Sequence, residues 1–209
     1  MTSALLQHSL FGLDAASGPS PLAGHVVRQN LPRGAWVDLL PGWLAGADQL
    51  FDRLLTEVPW QAERRQMYER VVDVPRLLCF YGSEDALPDP LLTRVREDLS
   101  GYYADELGEP FLTAGMCLYR GGRDSVAWHG DTIGRGRTED TMVAIVSLGS
   151  PRYFLLRPRG GGAIIKHRLD HGDLIVMGGS CQRTWEHAVP KTNKPVGPRI
   201  SIQFRPQGV

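Results

Sequence analysis

Arg199-Ile-Ser-Ile-Gln-Phe-Arg205 (RISIQFR, residues 199–205) alternates polar and apolar side chains without a break. A period of two is the signature of a β-strand, so Arg199, Ser201, Gln203 and Arg205 share one face and Ile200, Ile202 and Phe204 the other. Both faces carry side chains that need cover. The apolar face asks for a hydrophobic layer, and two guanidiniums turned to an interior ask for anions, because a buried arginine without a partner is costly. A small dicarboxylate would meet that need, one carboxylate for each arginine, with Ser201 adding a hydrogen bond.

Working back from this strand, residues 111–209 break into short extended runs punctuated by Gly, Pro and Asp. Strands are expected at 115–119, 126–129, 141–148, 152–157, 163–169, 173–177, 187–189 and 199–205. Eight short strands in about a hundred residues predict a jelly roll or related barrel. The first 110 residues read differently. Residues 45–58 place Leu50, Phe51, Leu54, Leu55 and Val58 at helical spacing with Pro59 as a stop, and residues 90–106 repeat Leu91, Leu92, Val95 and Leu99 on one side. Residues 71–81 (VVDVPRLLCFY) form a strand marked by a proline, 35–40 a short strand, and the rest of 1–45 an extended entry segment. The fold class is therefore mainly β with flanking helices, with residues 1–110 as an N-terminal extension built onto a core at 111–209 in one integrated domain.

The 209-residue chain has no apolar run long enough to span a bilayer, and MTSALLQHSLFG lacks the charged start and long apolar core of a signal peptide. A cytoplasmic monomer without membrane contact is expected. Cys79, Cys117 and Cys181 are odd in number and far apart, which argues against a disulfide framework and a Cys-x-x-Cys metal site. Formal charge is zero, yet residues 1–100 carry 9 basic and 13 acidic side chains and residues 101–209 carry 14 and 10. Arg120, Arg123, Arg135, Arg137, Arg152, Arg157, Arg159 and Arg168 gather in the second half, either as a phosphate-binding face or as a rim of intramolecular pairs.

Chemistry concentrates in WHGDTIGRGR, residues 128–137. His129 and Asp131 stand at i and i+2, so on extended chain their donor atoms can converge on one ion. His187, in TWEHAV, follows at a separation that lets it complete a set of two histidines and one carboxylate. Such a set holds three neighbouring positions of an octahedral ferrous ion and leaves three open for a bidentate cosubstrate and dioxygen, whereas a structural zinc site is closed by four protein ligands.

The ordered set of His129-x-Asp131, His187 and Arg199-x5-Arg205, with Cys117-Leu-Tyr119 before it and Leu169-Asp-His-Gly-Asp173-Leu within it, resembles the AlkB family of iron and 2-oxoglutarate dependent dioxygenases. VPWQAERR and VPRLLCFYG extend the resemblance into the nucleotide-recognition region of the branch that acts on alkylated DNA and RNA, so residues 50–206 are covered. The resemblance implies a double-stranded β-helix that holds Fe(II) through His129, Asp131 and His187. It implies that Arg199, with Tyr119 and Ser201, pairs with the distal carboxylate of 2-oxoglutarate, and that Arg205 and Cys117 lie near the chelating end. The implied reaction uses O2 to oxidise an N-methyl group on a base, releasing formaldehyde, succinate and CO2. Because a base in duplex cannot reach a closed barrel, a single strand or a flipped base is required.

Two positions depart from that branch. Cys117 stands where Asn is usual, and Ile133, two residues after Asp131, stands where Asp or Glu can contact the base. The loop SEDALPDP is short and lacks an aromatic hairpin, which favours single-stranded DNA or RNA over duplex. Trp60, Arg76 and Tyr81 in the extension are candidate nucleotide contacts, with core packing or a surface ion pair as the other reading. Trp128 beside His129 is a candidate stacker or a packing residue, and Arg135 and Arg137 are candidate phosphate contacts or part of a turn. Ile133 and the zero net charge also leave open a protein, lipid or small-molecule substrate. The arginine cluster and Cys117 leave open a non-catalytic nucleic-acid-binding barrel.

Overall fold

The computed structural model describes residues 18–67, 70–132 and 134–209, so Ile133 and residues 1–17 of the entry segment lie outside the described residues. In chain order the elements are β1 (Gly18–Pro19), β2 (Val27–Asn30), β3 (Ala35–Leu40), β4 (Leu44–Ala45), α1 (Ala47–Glu57), β5 (Gln61–Met67), β6 (Arg70–Tyr81), α2 (Pro90–Tyr102), α3 (Ala104–Leu107) and β7 (Thr113–Tyr119). They continue with β8 (Val126–His129), β9 (Val143–Gly149), β10 (Arg152–Pro158), β11 (Ile165–Leu169), β12 (Asp173–Gly179), α4 (Cys181–Thr184), β13 (Trp185–Val189) and β14 (Arg199–Arg205).

The eight strands β7–β14 are dealt into two antiparallel sheets, changing sheet at every step except between the paired β10 and β11. One holds β7, β14, β9 and β12 side by side, and the other holds β8, β13, β10 and β11. This alternation is the topology of a double-stranded β-helix. The first sheet is extended on both edges by the N-terminal residues, giving the order β2-β3-β12-β9-β14-β7-β6-β5.

Two hydrophobic layers follow from the strand alternation. Ile200, Ile202 and Phe204 of β14 and Ala144, Val146 and Leu148 of β9 face outward into a core shared with Leu50, Phe51 and Leu54 of α1 and Leu92, Val95 and Leu99 of α2. The opposite faces, with Val143, Ile145, Phe154, Leu156, Ile175, Met177 and Trp185, meet between the sheets. β9 and β12, at the centre of the large sheet, are therefore covered by apolar side chains on both sides, which is why VAIVSLG and DLIVMGG read as near-continuous apolar runs.

α2 docks by a polar lock at its start. Pro90 opens α2 behind Asp89, whose Oδ1 accepts the Leu91 amide at 2.9 Å while Oδ2 accepts Arg53 Nε of α1 at 2.6 Å. This is an N-cap and an inter-helix tie in one side chain. The helix expected over 90–106 is broken at Tyr103, whose backbone leaves the helical region. The buried Tyr103 ring stacks on Trp36 at 6.0 Å and its hydroxyl donates to Asp38 Oδ2 at 2.9 Å, so tertiary contacts override the local helical pattern.

Four strands were not expected: the two-residue strands β1 and β4, which pair with each other, and the longer β2 and β5. β2 pairs with β3 across a tight turn in which Arg33 (φ 68°) and Gly34 (φ 77°) are left-handed, and Arg28 of β2 grips Asp38 of β3 through two bonds of 2.7 Å. β5 pairs with β6 as the outermost strand of the large sheet. Its sequence QAERRQM has no apolar alternation, because an edge strand is held by backbone pairing and needs no buried face.

Candidate active site

His129 ends β8 and His187 lies on the neighbouring β13, where the antiparallel register sets them directly opposite one another. Their ring centroids are 4.2 Å apart. Asp131 follows two residues after the strand end, with Oδ1 3.6 Å from His129 Nε2, and one donor atom from each of the three side chains lies within 4.8 Å of the others. His129 Nδ1 lies 2.9 Å from the Ala127 carbonyl, a contact that places the ring proton on Nδ1 and leaves the Nε2 lone pair for the cluster.

Two of the three groups, His187 and Asp131, are held in the protonation states that a metal needs. Burial, reinforced by His129, lowers the His187 pKa to about 3, so its imidazole is neutral. Burial alone would raise Asp131, but Arg205 together with His187 and His129 brings it well below the usual carboxylate range. Arg205 does this directly: its Nε and Nη2 donate to Asp131 Oδ2 at 3.0 and 2.7 Å.

The two arginines of the opening stretch therefore have different partners. Arg205 already holds an anion in Asp131, through Nε and Nη2. Arg199 remains without an acid among the described residues. It is 1% exposed, its Nε donates to Ser147 Oγ at 3.0 Å, its guanidinium stands 5.2 Å from the Tyr119 ring, and its Nη1 is buried with no partner. Burial presses the Arg199 pKa down and raises the Tyr119 hydroxyl to about 12. A buried cation with an orphaned donor is a vacancy for an anion.

Register aligns the rest of this wall. Arg199 pairs with Tyr119 and Ser201 with Cys117 across β14 and β7. Cys117, Tyr119, Ser201, Gln203 and Arg205 all line one cavity of about 860 Å³ together with His129, Asp131 and His187. Cys117 Sγ lies 3.7 Å from Gln203 Oε1, and Gln203 Nε2 donates to Ser201 Oγ at 2.6 Å.

Four supporting residues escaped the sequence reading. The Asp131 amide donates to Gln182 Oε1 at 3.0 Å, so a buried glutamine on α4 fixes the loop that carries the carboxylate. Phe154 stacks on His187 at 5.2 Å. Gln203 adds an amide to the cavity wall, a position legible in the alternation of β14 but not assigned a role. Gly130, between the two ligands, is packed so tightly that a Cβ would lie 2.5 Å from the Gln182 carbonyl and 2.7 Å from Arg159 Nη2. Its identity was visible in HGD; its reason was not.

The expected substrate contacts divide. Arg76 lines the cavity, with Nη1 donating to the Ser125 carbonyl at 3.2 Å and Nε buried without a partner. Tyr81 reaches the cavity rim but packs against the helical core. Trp60 does not line the cavity: it packs on the same core and its Nε1 donates to the Leu54 carbonyl at 3.1 Å, capping the end of α1. Trp128, one residue before His129, takes the opposite face of β8, where Arg157 covers its ring at 4.2 Å while also binding Glu186. Arg135 is spent internally on Glu109, Glu139 and the Gln207 carbonyl, which leaves it poorly placed to meet a phosphate. Arg137 is exposed on the 3-10 turn Gly134–Arg137.

Residues 85–205 match the family model of the 2OG-Fe(II) oxygenase superfamily. The chain belongs to that superfamily. Its relatives include alkB homolog 3 from Bos taurus, an alpha-ketoglutarate-dependent dioxygenase, with 32% identity over 190 residues covering 81% of this chain. The DNA oxidative demethylase ALKBH2 from Arabidopsis thaliana is 30% identical over 196 residues, covering 74% of this chain and 60% of its own length. The chain spans 65% of the length of the bovine relative. Among solved structures, OsALKBH1 superposes with a TM-score of 0.61 at 16% identity, covering 87% of this chain and all of that one, so the fold is shared.

The superfamily's metal and cosubstrate, Fe(II) and 2-oxoglutarate, fit the residues present. Two imidazoles and a carboxylate converge at one point, and the buried Arg199 nearby carries an orphaned donor.

Proposed function

We propose that this oxygenase removes alkyl groups oxidatively from N-alkylated bases in single-stranded DNA or RNA, as a repair activity. The observation that carries the reading is the His129–Asp131–His187 cluster opening onto an 860 Å³ cavity walled by Tyr119 and Ser201, with the buried Arg199 guanidinium against the Tyr119 ring and its Nη1 unpartnered. Similarity over most of the chain to proteins named as alkB homolog 3 and DNA oxidative demethylase ALKBH2 supports nucleic acid as the substrate.

His129, Asp131 and His187 would hold the ferrous ion on one side, leaving the cavity side free. Arg199 would pair with the distal carboxylate of 2-oxoglutarate, with Tyr119 and Ser201 beside it, and Arg205 would keep Asp131 oriented and ionised. Bound Fe(II) and 2-oxoglutarate supply, with O2, the oxidation of the N-methyl carbon whose products are formaldehyde, succinate and CO2. Ile145, Phe154 and Val189 exclude water around the reacting carbon. Arg76, across the cavity, would meet the base or its phosphate. The cavity is far too narrow for a duplex, so a base must enter singly.

The free thiols Cys79, Cys117 and Cys181 suit the reducing cytoplasm, where ferrous iron also persists. Mass spectrometry of a 1-methyladenine oligonucleotide incubated with protein, Fe(II), ascorbate and 2-oxoglutarate tests the function. Loss of one methyl mass with formaldehyde release is expected. An unchanged oligonucleotide, with 2-oxoglutarate still consumed, would move the substrate outside nucleic acid.

A further inference from the structure

We infer that Phe80, at the rim of the cavity, is the platform on which the nucleotide next to the target base stacks, so that the protein grips a single strand by two consecutive bases. The inference rests on the nucleic-acid reading above and assigns a binding residue that the site geometry alone does not.

Strand β6 turns alternate residues to opposite sides. Leu77, Cys79 and Tyr81 pack toward the helical core, although Cys79 and Tyr81 also touch the cavity, whereas the row of Arg76, Leu78 and Phe80 lines the cavity without joining that core. With about 3.3 Å per residue, the row runs about 13 Å from Arg76, deep in the cavity, to Phe80. Phe80 is 63% exposed. A scattered exposed apolar side chain needs no explanation. This one stands at the mouth of the active-site cavity, at the outer end of a row whose inner end is a guanidinium with a buried, unpartnered Nε.

The charges beside it select what can lie there. Glu63 of β5 and Asp85 line the same wall. Two carboxylates repel a phosphate, so the strand would present a base face to this side and turn its backbone away. Arg137 is exposed on the turn whose Gly136 abuts the Asp131 carbonyl and cavity-lining Val209, and it gives the backbone a cation on that flank. An aromatic face accepts any base, so the second grip would be indifferent to sequence and would need an unpaired neighbour.

The test is fluorescence anisotropy of a labelled single-stranded decamer with one 1-methyladenine, titrated with protein holding Mn(II) and 2-oxoglutarate. Phe80→Ala is expected to weaken binding about 5- to 150-fold, the effect of removing one base–aromatic stack, and Phe80→Trp to restore it. An abasic site on one side of the lesion should weaken wild-type binding by a similar factor and cancel the effect of Phe80→Ala; an abasic site on the other side should not. Binding of Phe80→Ala within twofold of wild type, while wild type binds and demethylates the decamer, overturns this inference and leaves the demethylase reading standing. If wild type does not bind the decamer at all, both fall.

Discussion

Gly130→Ala adds one carbon between two metal-binding side chains, and its effect follows from three distances. The new Cβ would meet the Gln182 carbonyl oxygen at 2.5 Å, Arg159 Nη2 at 2.7 Å and the Trp185 carbonyl oxygen at 3.2 Å. Arg159 can swing away because it is exposed. The two carbonyls cannot, since they belong to α4 and the start of β13, so the His129–Asp131 segment must shift outward by several tenths of an ångström. Overpacking of this kind costs about 1–3 kcal/mol, equivalent in a chain of this size to a fall in Tm of about 2–10 °C. The larger consequence is chemical, because a misplacement approaching 1 Å costs on the order of 10²-fold in turnover. The assay pairs a thermal melt of the metal-free protein with an anaerobic Fe(II) and 2-oxoglutarate titration read by visible absorbance. Gly101→Ala, in a helix with nothing within 4 Å of the added carbon, serves as the control and should raise Tm slightly. A Gly130→Ala protein with wild-type Tm and wild-type metal affinity would refute the claim that this glycine is there for space.

Arg199→Met should weaken 2-oxoglutarate binding by a factor of 10² or more without lowering Tm, since it removes a buried charge that has no anion in the free protein; isothermal titration and a melt measure the two effects. Trp60→Phe should cost about 1 kcal/mol of stability through the lost bond to the Leu54 carbonyl while leaving oligonucleotide KM unchanged, and a raised KM would return Trp60 to the substrate site. His171 Nδ1 accepts the Gly149 amide at 2.7 Å, and burial lowers its pKa against the pull of Asp48. Because the folded value lies below the unfolded one of about 6.5, the neutral ring stabilises fully above that pH. The contribution is lost as pH falls from there toward the lowered folded value. Urea melts should show a shallower acid slope for His171→Ala than for wild type over that window.

The sequence carried the barrel because strands covered on one side must alternate, as β10 and β11 do, and strands covered on both sides run apolar, as β9 and β12 do. RISIQFR announced a strand with a polar interior face, and its pairing with β7 and β9 follows the register that this alternation requires. The ligand triad was legible because HGD and WEHAV end or occupy such strands. Residues whose role comes from tertiary contact were not legible. Gln182 is one polar residue in a four-residue helix, and nothing local says that its side chain reaches the Asp131 amide. Trp60 and Trp128 carry the composition of nucleotide stackers, yet one is claimed by the end of α1 and the other by Arg157 on the far face of β8. Arg135 looked available in GRGR until Glu109, 26 residues upstream, closed on it. Strand β5 was invisible because an outermost strand owes its place to its backbone.

Two of the three proposed iron ligands face each other because β8 and β13 are hydrogen-bonded neighbours. Sliding either strand by a single position would swing one imidazole to the outside of the barrel. Loading with iron thus audits the assembly of the smaller sheet: a molecule that has zipped up out of step keeps its shape but stays chemically silent, and so cannot release a stray oxidant.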